Sequence, residues 1–166
     1  MKSSRRYIGI DPGLRRTGWG VIELENNNLR HLANGSISTK SNLLLAQRLS
    51  QLYEGLTKIL SHWLPDEAAA EETFVNTNAR SALKLGMARG VVLLAPAQLG
   101  LPVAEYSPNI IKKSVVGAGH ADKHQVGVMV QHLLPSCELE GEDSTDALAV
   151  AICHAHHSTI DNILRV

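Results

Sequence analysis

No stretch of this 166-residue chain approaches the ~20 uninterrupted apolar residues that a membrane-crossing helix needs. The nearest candidate, 43–64, carries Arg48, Glu54 and Lys58 at helical spacing, so a soluble protein is expected. Nothing in the first residues resembles a secretory leader either, since MKSSRR is followed by a short apolar run that breaks at Asp11 and Pro12, and a cytoplasmic protein is expected. Cysteine is scarce. Cys137 and Cys153 have no metal-type spacing and are expected to be free thiols. Net charge is absent too, since 16 basic residues face 16 acidic ones. A uniformly basic surface is thereby excluded, and affinity for a polyanion must come from local asymmetry. That asymmetry exists. From Thr73 to Ala104 the charged residues are Arg80, Lys84 and Arg89, whereas Glu138 to Asp146 holds five acids and no base. Each run alone would also suit a solvated helix face.

This length suits a single domain that buries its own core, spanning 1–166 with a flexible tail over about its last eight residues. RYIGID (6–11) is an apolar strand closing on an acid, and PGLRR follows as a turn. TGWGVIEL (17–24) and LRHLANGSIS (29–38) are two further strands, joined through the Asn-rich turn 25–28 into an antiparallel meander. The period then changes: apolar residues from Leu43 to Trp63 recur at three- and four-residue steps, marking a long amphipathic helix ended by Pro65. AAAEETF (68–74) reads as a buried strand, and Asn78 to about Leu99 as a helix with Ala82, Gly86 and Gly90 on one face. Each internal glycine costs about 1 kcal/mol relative to alanine, so that stripe implies a close approach, to a second copy or to the chain's own sheet. LPVAEY (101–106) is a fifth strand, and Ser107-Pro108 opens a short helix to about Val116. Asp122 and Gln125 form a capping box for a helix to Leu134, and a final helix runs from Asp143 to about His157. This order predicts an α/β protein with a mixed five-stranded sheet and helices on both faces.

An aspartate ending an apolar strand needs a partner, because a buried carboxylate is costly unless paired or bound to metal. Asp11 is one such residue. Glu71 and Glu72 pose the same problem within AAAEETF, and they must point to opposite faces of the sheet, so only one shares a side with Asp11. Asp143 and Asp146, three apart, lie on one helix face; taken alone they would suit ordinary helix-start acids. Four converging carboxylates would repel one another and hold protons. A pair of divalent cations removes the conflict, and an all-oxygen set suits Mg²⁺ or Mn²⁺ rather than zinc. Two such ions roughly 4 Å apart support in-line phosphodiester hydrolysis.

The segments IGIDPGLRRTGWGVI (8–22), Glu71 through Phe74 with NARSALKLGMARG (78–90), YSPNIIKKSVVGAGHADK (106–123) and DSTDALAVAICHAH (143–156) together resemble the RuvC-type Holliday-junction resolvases over essentially the whole chain. The resemblance implies an RNase H-like fold and a homodimer that cuts two opposed strands of a four-way DNA junction, leaving ligatable nicks in recombination and repair. It implies two Mg²⁺ ions per subunit, replaceable by Mn²⁺, on Asp11, Glu71, Asp143 and Asp146, and so selects Glu71 over Glu72. It also implies Lys112 and Lys123 beside the scissile phosphate, Phe74 as an aromatic that stacks on DNA, and a RuvA–RuvB branch-migration complex as partner. Arg80 and Lys84, from the basic run, complete the expected DNA contacts. Glu72 stands where a neutral residue is expected, and His120 and His124 flank Lys123, where solvent is their expected neighbour. The alternatives are another RNase H-like nuclease or a junction-binding protein that does not cut. A sugar kinase or actin-like ATPase would need two such domains, for which 166 residues are too few.

Overall fold

A computed structural model of the chain describes residues 4–73 and 78–164, with side chains through 158. Three strands come first: β1 (Ser4–Asp11), β2 (Arg16–Glu25) and β3 (Asn28–Ser38). They form the expected antiparallel meander, with Ser4 opposite Glu25 and Glu25 opposite Asn28. The β2–β3 connection is only two residues long. Asn26 (φ 48°) and Asn27 (φ 63°) both occupy the left-handed region, which asparagine tolerates better than most residues and which matches the twist of a tight hairpin.

The chain then leaves the sheet as α1 (Leu45–Trp63), which stops at Leu64 (φ 49°) just before Pro65. It returns as β4 (Glu67–Glu71), departs as α2 (Ala79–Gln98) and closes the sheet as β5 (Val103–Tyr106). Strand β4 is shorter than its apolar pattern suggested. Its last ladder partner is Tyr106, where β5 itself ends, and only the Glu72 amide reaches back, to the Tyr106 carbonyl at 2.9 Å. The sheet order is β3-β2-β1-β4-β5, with β4 parallel to both β1 and β5, so the mixed five-stranded sheet is as expected.

Three helices complete the described chain: α3 (Pro108–Val116), α4 (Lys123–Leu133) and α5 (Glu142–Leu164). The Asp122 carboxylate accepts from the Gln125 amide at 2.8 Å and the Gln125 side chain accepts from the Asp122 amide at 2.9 Å, which is the reciprocal cap expected from the sequence. Helix α5 runs beyond His157 into the segment expected to be a tail; the side chains from 159 and residues 165–166 lie outside the described part. Among the described residues, no helix is long and apolar enough to cross a membrane, and both cysteines are free and buried.

Strand alternation divides the core in two. Ile8, Ile10, Val21, Ala68 and Ala70 face α1 and α2, where Leu52, Leu56, Leu60 and Val92 meet them. Tyr7, Ile22 and Ala69 face α5, with α3 and α4 packed around it. Helix α5 lies directly on the strands. A Cβ on Gly9 would sit 2.1 Å from the Ala147 carbonyl oxygen and 2.4 Å from the Ala151 amide, and one on Gly18 would sit 1.9 Å from the Asp143 carbonyl oxygen. Only residues without a side chain permit this contact, and the same contact fixes where the first turns of α5 stand.

Gly9→Ala is accordingly expected to destabilise the protein by about 1–3 kcal/mol, because helix backbone must shift to admit the methyl group. Gly127→Ala in α4, where a Cβ would make only an ordinary contact 3.9 Å from Thr145, is expected to stabilise by up to about 1 kcal/mol. Urea denaturation of the two variants checks the contrast; equal effects would show that the α5 contact is not tight.

Candidate active site

Asp11 ends β1 and Glu71 ends β4. The parallel register of these strands pairs Gly9 with Ala69 and Ile10 with Ala70, and one further step brings Asp11 beside Glu71. Ala69 belongs to the core under α5, so the two-residue alternation turns Glu71 toward that face and Glu72 away from it. Geometry thus makes the choice between the two glutamates that periodicity left open. Asp143 and Asp146 occupy the first turns of α5, held over the strand ends by the contact at Gly18.

These four acids are electrostatically one group. Burial, then the charges of Glu71, Asp146 and Asp143, push the Asp11 carboxyl up to about 8, against the opposing pull of Lys123. Burial and then Asp146 push Glu71 up to about 7, with Lys123 and Lys112 opposing. Asp146 is also raised, first by burial, and Lys123 is raised in return, first by Asp146.

Two cations answer part of this negative charge. Lys123 Nζ lies 3.3 Å from Asp146 Oδ2 and 3.6 Å from Glu142 Oε2, and Arg16 Nε lies 3.5 Å from Asp143 Oδ2. With Asp143 and Asp146 turned toward these partners, no three acidic, histidine or cysteine side chains among the described residues close on one point as ligands around an ion do. The donor set still suits hard divalent cations: it is all carboxylate and half-buried, and burial first, then the neighbouring carboxylates, raise Asp11 and Glu71 toward neutrality. Beside the acids lies a cavity of about 170 Å³, lined by Glu71, Asp146, Lys112 and Lys123 over an apolar floor that includes Ile111 and Val126.

Of the remaining expected residues, Lys112 and Lys123 therefore stand at the acids. Arg80 and Lys84 are exposed on the first turns of α2, outside that cavity. Phe74 lies outside the described residues. His120 and His124 are exposed. Sequence reasoning did not single out Arg16 or Glu142. The signal for Arg16 lay in strand alternation, because Gly18 pairs with Asp11 and Arg16, two residues earlier, falls on the same side of the sheet.

The family described as "Crossover junction endodeoxyribonuclease RuvC" matches residues 7–154 of this chain. Proteins named crossover junction endodeoxyribonuclease RuvC from Brucella anthropi and Allorhizobium ampelinum are 55% and 56% identical over 157 residues, covering 95% of this chain and 91% and 93% of theirs. The structure of Thermus thermophilus RuvC in complex with Holliday junction substrate superposes with a TM-score of 0.88 at 31% identity, covering 95% of this chain and 96% of that one.

The raised acids give a prediction in the absence of divalent metal. Between about pH 4 and pH 8 the folded protein keeps a proton on Asp11 that the unfolded chain, with its ordinary value of 3.8, releases. Stability on this account is greatest below that window and falls as pH rises through it. Asp11→Asn removes the penalty, which a carboxyl raised this far puts at several kcal/mol, and so should raise the melting temperature by more than about 4 °C. Thermal melts in EDTA should therefore show the variant more stable than the parent at pH 8 and indistinguishable from it near pH 4. A pH-independent difference would mean that burial and the neighbouring carboxylates do not raise the Asp11 carboxyl.

Proposed function

Because the chain belongs to the RuvC family of crossover junction endodeoxyribonucleases, we propose that it resolves four-way DNA junctions by metal-assisted hydrolysis at Asp11, Glu71, Asp143 and Asp146. The observation that carries this reading is the convergence of strand-borne Asp11 and Glu71 with helix-borne Asp143 and Asp146 on one side of the sheet, where burial first, and neighbouring carboxylates after it, raise the carboxyls of Asp11, Glu71 and Asp146. The four carboxylates would hold two Mg²⁺ ions, with Mn²⁺ able to substitute. Bound there, the ions would supply the chemistry of activating a water and offsetting charge on a departing 3′ oxygen.

The chain's own contribution is placement. Lys112 and Lys123 put compact positive charges on the wall of the acid cavity, where they suit a phosphate gathering negative charge. The apolar floor beneath them, which includes Ile111 and Val126, lines the cavity between the lysines and the acids. Asp143 and Asp146 share one rigid helix, so a ligand held by one of them is positioned for the other.

The proposal includes a homodimer, since two opposed strands need two sites. Helix α2 supports it. Leu83, Leu94 and Met87 are 67%, 50% and 46% exposed, at spacings that place them on one stripe, and Gly86 and Gly90 beside them have nothing within 4 Å of where a Cβ would be. An apolar stripe of this kind, with small residues that admit a close neighbour, suits a second copy of the same helix.

Incubation with a mobile four-way junction and Mg²⁺ should give symmetric nicks in two opposed strands, mapped on all four labelled strands. Asp11→Asn should reduce cutting at least 100-fold while binding persists; undiminished cutting by the variant would remove the assignment. Leu83→Asp should shift the protein to a monomer in sedimentation and uncouple the paired nicks. A variant that remains dimeric would exclude the α2 face.

A further inference from the structure

On the side of the acids away from Lys112 and Lys123, the turn after β1 and the segment after β3 enclose an open cleft of about 720 Å³, lined by Arg15, Arg16, Lys40, Ser41 and Asn42 among others. Its floor is built rather than loose. The buried Thr39 hydroxyl donates to the Leu14 carbonyl at 2.5 Å, and its amide donates to the Arg15 carbonyl at 3.1 Å. The Arg48 guanidinium reaches from α1 to the Thr39 hydroxyl at 2.9 Å and the Leu14 carbonyl at 3.2 Å, and the Lys40 amide donates to the Gln51 side chain at 3.1 Å. Two chain segments 25 residues apart in sequence are thereby locked together, and a third cation, Arg48, lies beneath them.

The charges above this floor are unbalanced. Arg15 and Lys40 are exposed, and no carboxylate lines the cleft with them among the described residues. The acid that borders it is Asp143, which pairs with Arg16 at 3.5 Å. A cleft lined by cations and by no carboxylate among the described residues suits an anionic ligand. Hydroxyl and amide groups of Ser41 and Asn42 add neutral donors of the sort that accompany arginine and lysine on phosphate oxygens.

The geometry points to this cleft as a seat for DNA backbone phosphates, with Arg15 and Lys40 gripping the junction arm that leaves the acids on the β2–β3 side. This rests on the functional reading above and deepens it. Arg16 joins the two regions, because it reaches Asp143 from the cleft wall. The cut strand is then held from both sides of the break, by Lys112 and Lys123 at the acids and by Arg15 and Lys40 beyond them. A grip on both sides fixes the in-line geometry that hydrolysis requires.

The test is the salt dependence of binding, read by fluorescence anisotropy on a labelled four-way junction in EDTA. Removing one cation from a phosphate lowers the slope of log affinity against log salt by about one. Arg15→Ala/Lys40→Ala should therefore reduce the slope by about two and weaken binding about tenfold or more near 0.1 M salt, while Arg15→Lys/Lys40→Arg restores both. Both side chains are exposed, and unchanged thermal melts verify folding. Lys58→Ala, an exposed lysine on α1, controls for the change in total charge and should leave the slope within the effect of a single distant charge. An unchanged slope in the double variant, or an equal loss in the control, would overturn the proposal. Nicking of the junction by the unaltered chain with Mg²⁺ is scored separately. Its failure would remove the functional reading, whereas the slope would still decide whether the cleft binds DNA.

Discussion

The contact of helix α5 with β1 and β2 is the constraint on which the rest of this structure depends. At Gly9 and Gly18 the helix backbone lies where a side chain would otherwise be. Asp11 follows Gly9 by two residues on the same face, and Gly18 is its partner across the ladder. The place where the helix comes closest is thus also the place where the strand acid emerges. A larger residue at either position would lift Asp143 and Asp146 away from Asp11 and Glu71 together. Core packing and site geometry are here the same interaction, and neither can change without the other.

That arrangement costs stability. Carboxylates brought this close, and mostly buried, hold protons at pH values where they would be ionised in water. Lys123 and Arg16 offset part of the repulsion through Asp146 and Asp143, but both are exposed, and ion pairs of exposed side chains are worth little. The two strand acids, Asp11 and Glu71, carry the largest shifts, with burial as the first cause of each. Repulsion of this kind persists only where the surrounding structure enforces it, and it is consistent with the proposed cation site.

Much of this was legible in the sequence, and the limits have physical causes. Local chemistry was readable: the Asp122–Gln125 cap, the Asn26-Asn27 turn and the stop at Pro65 each depend on neighbouring residues and each is present. Strand alternation showed that only one of Glu71 and Glu72 could face Asp11. Periodicity could not decide which one, and the resemblance chose Glu71; the physical reason is the register between β1 and β4, a contact between residues about 60 apart, which no local pattern encodes. The extent of α5 was underestimated because its later residues lack a strong apolar stripe in the sequence. Buried His154 was invisible for a similar reason. It sits 2.9 Å from the Tyr106 hydroxyl and 3.1 Å from Glu67, the latter without the alignment of a hydrogen bond, and all three residues come from different elements.

The small-residue stripe on α2 shows how structure changes the weight of a sequence feature. Sequence left it open whether Gly86 and Gly90 allow close packing on the chain's own sheet or on something else. Ala88, Val92 and Ala95 turn out to be residues of α2 buried against the core, and the two glycines face away from it with open space around them. Within a single copy, then, each glycine weakens the helix by about 1 kcal/mol and gains no contact in return. Leu83, Met87 and Leu94 on the same exposed side add apolar area that a lone subunit leaves in water. Both costs vanish if an identical helix packs there, since two glycine-bearing stripes can approach closely and bury the leucines between them. The proposed homodimer therefore accounts for the helix's composition as well as for the need to cut two strands, and it does so on the face of the sheet opposite α5, leaving the acids open to DNA.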